Sequence, residues 1–124
     1  MKDFIDGLKK HGYEVEESED DIGNPCWDWW NVKNDCVEIY DNPHEQPILL
    51  VACLDEINRL GWGWGFSGYS SEGADYYLSC DRTVKNRLVQ VPRMVGKTKT
   101  EACRNALLAV LEARAIFDKS GAER

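Results

Sequence analysis

Residues 62–69 read Trp-Gly-Trp-Gly-Phe-Ser-Gly-Tyr, so large aromatic side chains alternate with glycine or serine. A period of two is typical of a β-strand, and it predicts a strand with Trp62, Trp64 and Phe66 on one face. Glycine weakens a strand, and glycines opposite a row of aromatics favour a face that another element or a ligand approaches closely. We therefore expect one aromatic face and one closely packed glycine face.

Patterns elsewhere predict helices and hairpins around this strand. Apolar residues at helical spacing, ended by glycine or begun by a Thr-x-x-Glu capping box, are typical of helices, and alternation broken by turn residues is typical of hairpins. The predicted order is a helix over 1–10, an edge strand at 13–16, a hairpin of 27–32 with 36–40, a helix from near 46 to 60, a hairpin of 62–69 with 76–80, a strand over 88–91 and a final helix from 98. This order predicts an α+β fold, a small antiparallel sheet covered by helices, with a long C-terminal helix.

The composition favours one globular domain over residues 1–124. The chain is 43% hydrophobic, it has no apolar run of transmembrane length, and its first ten residues are charged and amphipathic rather than signal-like. We therefore expect a cytoplasmic protein with no membrane partner.

The five cysteines are spaced singly, without a Cys-x-x-Cys pair, which is not typical of a secreted disulfide framework. We expect reduced and mostly buried thiols. A zinc site from Cys26, Cys36 and His44 is an alternative, but its spacing differs from that of structural zinc ligands. We therefore expect no metal and no other cofactor.

Charge is distributed unevenly along the chain. The net charge of -7 divides into 15 acidic and 5 basic residues over 1–60, and 7 acidic and 10 basic residues over 61–124. Six acidic residues lie within residues 14–21, which form either a solvated acidic loop or an acidic recognition surface.

Three tryptophans within residues 27–30 cannot share one side of a strand, so either both faces of the strand are covered or an indole is exposed. The recognition hypothesis assigns partner binding to Glu14, Glu16, Glu17, Glu19, Asp20, Asp21, Asp28, Trp29 and Trp30, with Asp35 and Glu38 nearby.

Basic residues in the second half indicate a different ligand, and seven of them lie near the aromatic hairpin in sequence: Arg82, Lys85, Arg87, Arg93, Lys97, Lys99 and Arg104. A nucleotide can stack its base on an aromatic ring and place its phosphates beside cations. The candidate ligand-binding residues are Trp62, Trp64, Phe66, Arg82, Lys85 and Arg87. The competing interpretation is that the aromatics fill the core and the basic residues are solvated. Direct binding to long DNA or RNA is disfavoured by the negative net charge.

Catalytic motifs give little support for an enzyme. His11 and His44 lie in no nucleophile motif, and the glycines of residues 61–68 lack the Gly-Lys-Ser/Thr sequence of a phosphate-binding loop. A small enzyme that uses scattered carboxylates is the third alternative.

The C-terminal part of the chain resembles small phage proteins of the αβα-sandwich type. The likeness covers residues 47–117 and rests on a helix, the aromatic hairpin and the alanine-rich sequence Thr-Glu-Ala-Cys-Arg-Asn-Ala-Leu-Leu-Ala of residues 100–109. It implies a phage or prophage accessory protein, a class rich in inhibitors of host defence, and it supplies no catalytic residues. The acidic, tryptophan-rich N-terminal portion lies outside it.

Together these observations predict a non-enzymatic phage accessory protein whose acidic surface competes with nucleic acid for a host defence protein, with a CRISPR effector or another nucleic-acid-handling protein the leading candidate. The alternative is a protein that sequesters a nucleotide signal. Exposed tryptophans and opposite charges in the two halves also predict a homodimer. Its interface would contain Trp27, Trp29 or Trp30 or, alternatively, the alanine side of the last helix.

Overall fold

Two antiparallel sheets and three helices make up the computed structural model, which describes residues 2–30, 36–41, 45–69 and 76–120. The α+β fold class is thereby confirmed, although the strands form two sheets rather than one. The elements are α1 (Lys2–Lys10), β1 (Glu14–Glu19), β2 (Pro25–Trp30), β3 (Cys36–Tyr40), α2 (Pro47–Arg59), β4 (Gly63–Tyr69), β5 (Tyr76–Val84), β6 (Arg87–Gln90), β7 (Met94–Gly96) and α3 (Lys99–Ser120).

The first sheet has the order β1-β2-β3, and both neighbouring pairs are antiparallel. The predicted hairpin of β2 with β3 is confirmed, while its turn at residues 33–35 lies outside the described residues. β1 runs to Glu19, further than expected, because it pairs with the whole length of β2. Four of the six clustered acids therefore lie on a paired strand, which argues against the acidic-loop interpretation.

The second sheet has the order β4-β5-β6, and β7 also pairs with β5. A two-residue turn joins β5 to β6, with positive φ angles of 51° at Lys85 and 63° at Asn86, as a tight hairpin requires. The sequence pattern does not predict β7, because its three residues are too few to show a period. β4 lies at an edge of this sheet.

The glycine face of β4 differs from the expectation. A Cβ atom added at Gly65 would meet no atom within 4 Å among the described residues, and one at Gly63 would meet only Asp81. The prediction that another element packs closely on this face is therefore wrong at Gly63 and Gly65, while the alternative of a ligand stays a prediction. Gly63 and Gly65 pair with Asp81 and Ser79, so they lie on the face of the sheet opposite to the buried Leu78 and Cys80.

The helix ends follow the sequence signals, with one addition. Gly61 has a φ of +88° and ends α2 as predicted. Thr98 Oγ1 accepts a hydrogen bond of 3.0 Å from Glu101 N, as the capping box predicts for α3. Glu45, from the loop before α2, accepts further bonds from the backbone N–H groups of Lys99 and Thr100, and its negative charge suits a helix N-terminus.

The helices separate the two sheets and share one continuous core with both of them. α1 packs on β1, α2 packs on β3 and β4, and α3 packs on β5 and β7. Ala102 and Ala106 are fully buried in this core and so are not available for the predicted dimer contact through the alanine side of α3, whereas Ala109 and Ala113 on that side are half-buried. All five cysteines are free and four of them are buried, as expected. No helix within the described ranges is both long enough and apolar enough to span a membrane.

Candidate functional site

Alternation along the strands divides the first sheet into a core face and an outer face. The core face carries Val15, Trp29, Val37 and Ile39, all of which are buried. Trp29 is completely buried and packs edge-on against Phe4, with the ring centroids 6.2 Å apart. The prediction that Trp29 contacts a partner is therefore corrected, because its indole lies in the core.

Three carboxylates lie side by side on the outer face. The strand register places Glu16 beside Asp28 and Asp28 beside Glu38, so the row crosses all three strands. Glu14 lies two residues from Glu16 on the same face, beside Trp30. Trp30 is 40% exposed, which confirms the interpretation with an exposed indole. We call Glu14, Glu16, Asp28, Trp30 and Glu38 the acidic face.

The acidic face has a strongly negative environment. Among the residues that the structure describes, none of its carboxylates forms a salt bridge. Glu38 accepts a hydrogen bond from the Tyr40 hydroxyl, and this bond raises the pKa of Tyr40 to about 12. Burial raises the pKa of the Cys26 thiol, and the charges of Asp28 and Glu38 act in the same direction. Cys26 is therefore a protonated, unreactive thiol at neutral pH.

The other predicted acids lie away from this face. Glu17 and Glu19 are exposed but alternate onto the opposite side of β1. Asp20 Oδ1 accepts hydrogen bonds from Asn24 N at 2.8 Å and from Ile22 N at 3.0 Å, which close the turn between β1 and β2 and lower the pKa of Asp20. Asp21 is exposed in the same turn. The acidic cluster thus divides between two strand faces and a turn.

The predicted nucleotide site is not assembled as expected. Trp62 precedes β4 and is only 2% exposed, so its ring belongs to the core rather than to a binding surface. Trp64 pairs with Cys80, and Lys85 lies five residues further along the same hairpin, about 17 Å away at 3.4 Å per residue. Arg87 lies at the same end of β5 as Lys85. Arg82 is half-buried, with its guanidinium beside Gly61.

A different cation lies beside the exposed aromatics. Trp64 and Phe66 are each 39% exposed, and their rings meet edge to face at 5.9 Å. Lys99 Nζ lies 5.8 Å from the centroid of the Phe66 ring and 5.7 Å from that of Tyr76. The sequence places Lys99 among the basic residues near the aromatic hairpin but not among the candidate ligand-binding residues, and Tyr76 is in neither group. Tyr76 lies beside Phe66 because β4 pairs with β5, and Lys99 reaches both rings because α3 packs on the second sheet.

The residues considered for metal binding and catalysis form no recognisable centre. In the described part of the chain, no three His, Cys, Asp or Glu side chains are placed to hold a metal ion. His44 of the zinc alternative lies outside the described residues. His11 Nε2 lies 3.1 Å from Glu112 Oε1, in a contact that links the end of α1 to α3.

Comparison with known proteins gives no match to a family model, to a curated protein or to a solved structure. The resemblance to phage proteins stays a prediction from the sequence.

Proposed function

We propose that this chain is a non-enzymatic phage accessory protein that inhibits a host defence protein by placing its acidic face in a nucleic-acid-binding groove. The observation that supports this most directly is the row of Glu16, Asp28 and Glu38 in direct register across three strands. Like charges directly opposite each other destabilise a sheet. A basic partner would remove this repulsion, so the row is better suited to binding than to folding.

The spacing of the row suits a groove that binds phosphates. Neighbouring strands are about 4.8 Å apart, and residues two apart on one strand are about 7 Å apart. Each strand of B-DNA carries one charge per about 3.4 Å of helix axis, so the two charge densities are of the same order. Lys and Arg side chains that neutralise phosphates can therefore pair with these carboxylates, and the opposite charges accelerate association.

Trp30 gives the acidic face an aromatic contact as well as charge. Exposed tryptophans at the centre of an interface often contribute a large share of the binding energy. We propose that the partner is a CRISPR effector or another host protein that handles nucleic acid, and that inhibition takes place in the host cytoplasm. The implied phage origin supports this class of partner.

Capture from a host lysate tests the proposal. The binding variant combines Glu16→Gln, Asp28→Asn and Glu38→Gln, and the control variant combines Asp6→Asn, Asp55→Asn and Asp81→Asn, which neutralise three exposed acids elsewhere. We expect the wild type and the control to capture a host protein that short duplex DNA or RNA displaces, and the binding variant to capture none. Failure of the wild type, or equal capture by the binding variant, would contradict the proposal.

The position of Lys99 beside Phe66 and Tyr76 supports a second candidate function, sequestration of a nucleotide signal. In that case a base stacks on Trp64 or Phe66 and Lys99 pairs with phosphate. Melting scans and tryptophan fluorescence against a nucleotide panel test it, since ligand at about 100 times its Kd adds about 2.7 kcal/mol of stability. A flat response to every nucleotide removes this candidate, and release of an altered nucleotide would instead indicate an enzyme.

A further inference from the structure

A cleft of about 580 Å³ opens between β3 and the start of α2, beside the acidic face. Cys36, Glu38 and Tyr40 line it from the outer face of the sheet, and residues 45–49 line it from the other side. Most of its lining is apolar. Its volume is in the range of pockets that enclose a small ligand or a large side chain.

Hydrogen bonds hold the two walls of the cleft together. The Gln46 side chain accepts a bond of 3.0 Å from Tyr40 N and donates one of 2.8 Å to Tyr40 O. Gln46 N donates to Thr100 Oγ1 at 2.9 Å, and the adjacent Glu45 accepts from the first turn of α3. The cleft is therefore fixed on three elements before anything binds, which lowers the entropy cost of binding.

The α2 wall of the cleft offers apolar surface to a ligand. Ile48 lines the cleft and is 74% exposed, and Val51, one helical turn later, is 52% exposed. An isolated exposed aliphatic residue is ordinary, but Ile48 belongs to the wall of a preformed cleft, and Val51 continues the exposed apolar surface along α2 beyond that wall. Burial of an apolar side chain against this wall is favourable in proportion to the area removed from water.

The negative charge beside the cleft favours an apolar ligand that also carries positive charge. Glu38 belongs both to the cleft and to the acidic face, so an occupant that enters from that side passes the row of Glu16 and Asp28. We propose that the cleft binds a protein segment in which one large apolar side chain is flanked by Lys or Arg residues. This inference rests on the proposed function, because it specifies the part of the partner that anchors beside the acidic face.

Two fluorescent peptides of equal charge, Lys-Arg-Lys-Leu-Lys-Arg-Lys and the same peptide with Ser in place of Leu, test the cleft by anisotropy. We expect the wild type to bind the Leu peptide about tenfold more tightly, since a buried leucine adds that order of affinity. Ile48→Ser should reduce the preference to about twofold or less. Ile116→Ser removes an isoleucine that is 67% exposed on α3 and should leave the preference unchanged. The binding variant at Glu16, Asp28 and Glu38 should reduce the affinity for both peptides by the same factor.

Each contrary outcome has a distinct meaning. Equal binding of the two peptides by the wild type overturns the cleft proposal, and if the binding variant still weakens both, the acidic-face proposal stands. A preference for the Leu peptide that survives Ile48→Ser also overturns the cleft proposal, because the leucine then binds elsewhere. If the wild type binds neither peptide, the cleft proposal is overturned. Capture from lysate then tests the acidic-face proposal separately.

Discussion

Gly96 lies where the end of β7 meets the first turn of α3, and it has no room for a side chain. A Cβ atom there would lie 2.4 Å from Ala102 N and 2.9 Å from the carbonyl carbon of Glu101. Backbone atoms cannot rotate away as a flexible side chain can, so α3 itself would have to move. The close approach of α3 to the second sheet thus depends on this glycine.

We expect Gly96→Ala to lower the free energy of unfolding by about 1–3 kcal/mol, the usual cost of overpacking. The matched control is Gly65→Ala, where the added Cβ meets nothing within 4 Å, and its effect should stay within about 0.5 kcal/mol. Urea denaturation of both variants measures the difference. Equal effects would contradict the packing of α3 on the second sheet.

Glu56 is a buried carboxylate whose hydrogen bonds connect the first sheet to α2. Its side chain is 4% exposed, and Arg59 donates to it from Nε at 2.6 Å and from Nη2 at 2.8 Å. The Tyr13 hydroxyl, just before β1, donates to the same carboxylate. A buried charge is costly without such partners, so loss of one of them should be costly too.

This network predicts a dependence of stability on alkaline pH. Burial, and then the hydrogen bond to Glu56, raise the pKa of Tyr13 above its ordinary value of 10.0. A folded-state pKa above the unfolded value gives stability that is complete below about pH 10 and lost as the pH rises further. Tyr13→Phe should cost about 1–3 kcal/mol at neutral pH and should lose stability less steeply above pH 10 than the wild type. Urea unfolding of the wild type and of Tyr13→Phe across this range tests it, and equal slopes of stability against pH above pH 10 would contradict the network.

At the scale of the elements, the first sheet contains electrostatic repulsion among neighbouring carboxylates, which lowers the stability of the sheet. Asp28 is the centre of the row, with Glu16 on one side and Glu38 on the other. Asp28→Asn should therefore raise the free energy of unfolding by about 0.2–1 kcal/mol while it weakens partner binding. Added salt should reduce the difference in unfolding free energy between this variant and the wild type, because salt screens exposed charges. Asp55→Asn is the control that should change neither property, and a destabilised Asp28→Asn variant would argue against the repulsion.

Local patterns in the sequence predict the elements well, but they do not predict which faces are covered. Alternation separates Trp29 from Trp30, yet only tertiary packing, including that of Phe4 from α1 and of Tyr13, decides that Trp29 is the buried one. The Thr98 cap is visible in the sequence, whereas the cap from Glu45 comes from a residue 54 positions away from Lys99. The row of Glu16, Asp28 and Glu38 likewise depends on the register of three strands, which the pattern of one strand does not contain.

At the scale of the whole molecule, the uneven charge of the chain becomes uneven charge in space. The first sheet is built from residues 14–40, within the acidic half, and the second from residues 63–96, within the half with more basic than acidic residues. The helices separate the two sheets. Such polarity orients a charged partner toward one side of the molecule.

The homodimer remains a prediction, and the structure changes where we expect its interface. A contact through Trp30 would bring two acidic faces together, which repel. β4 instead is an uncharged edge strand with Trp64 and Phe66 exposed, and such an edge can pair with another strand. We expect a dimer by light scattering at micromolar concentration, shifted toward monomer by Trp64→Ser and not by Trp30→Ser. A monomer mass for the wild type would refute the prediction.

The acidic-face proposal is tested most directly by the plating efficiency of a defence-sensitive phage on host cells that express each form of the protein. The wild type and the control at Asp6, Asp55 and Asp81 should restore plating. The binding variant at Glu16, Asp28 and Glu38, expressed at the same level and with a melting temperature no lower than that of the wild type, should not restore it. Full restoration by the binding variant, or no effect of the wild type on any defence of the host, would contradict the proposal.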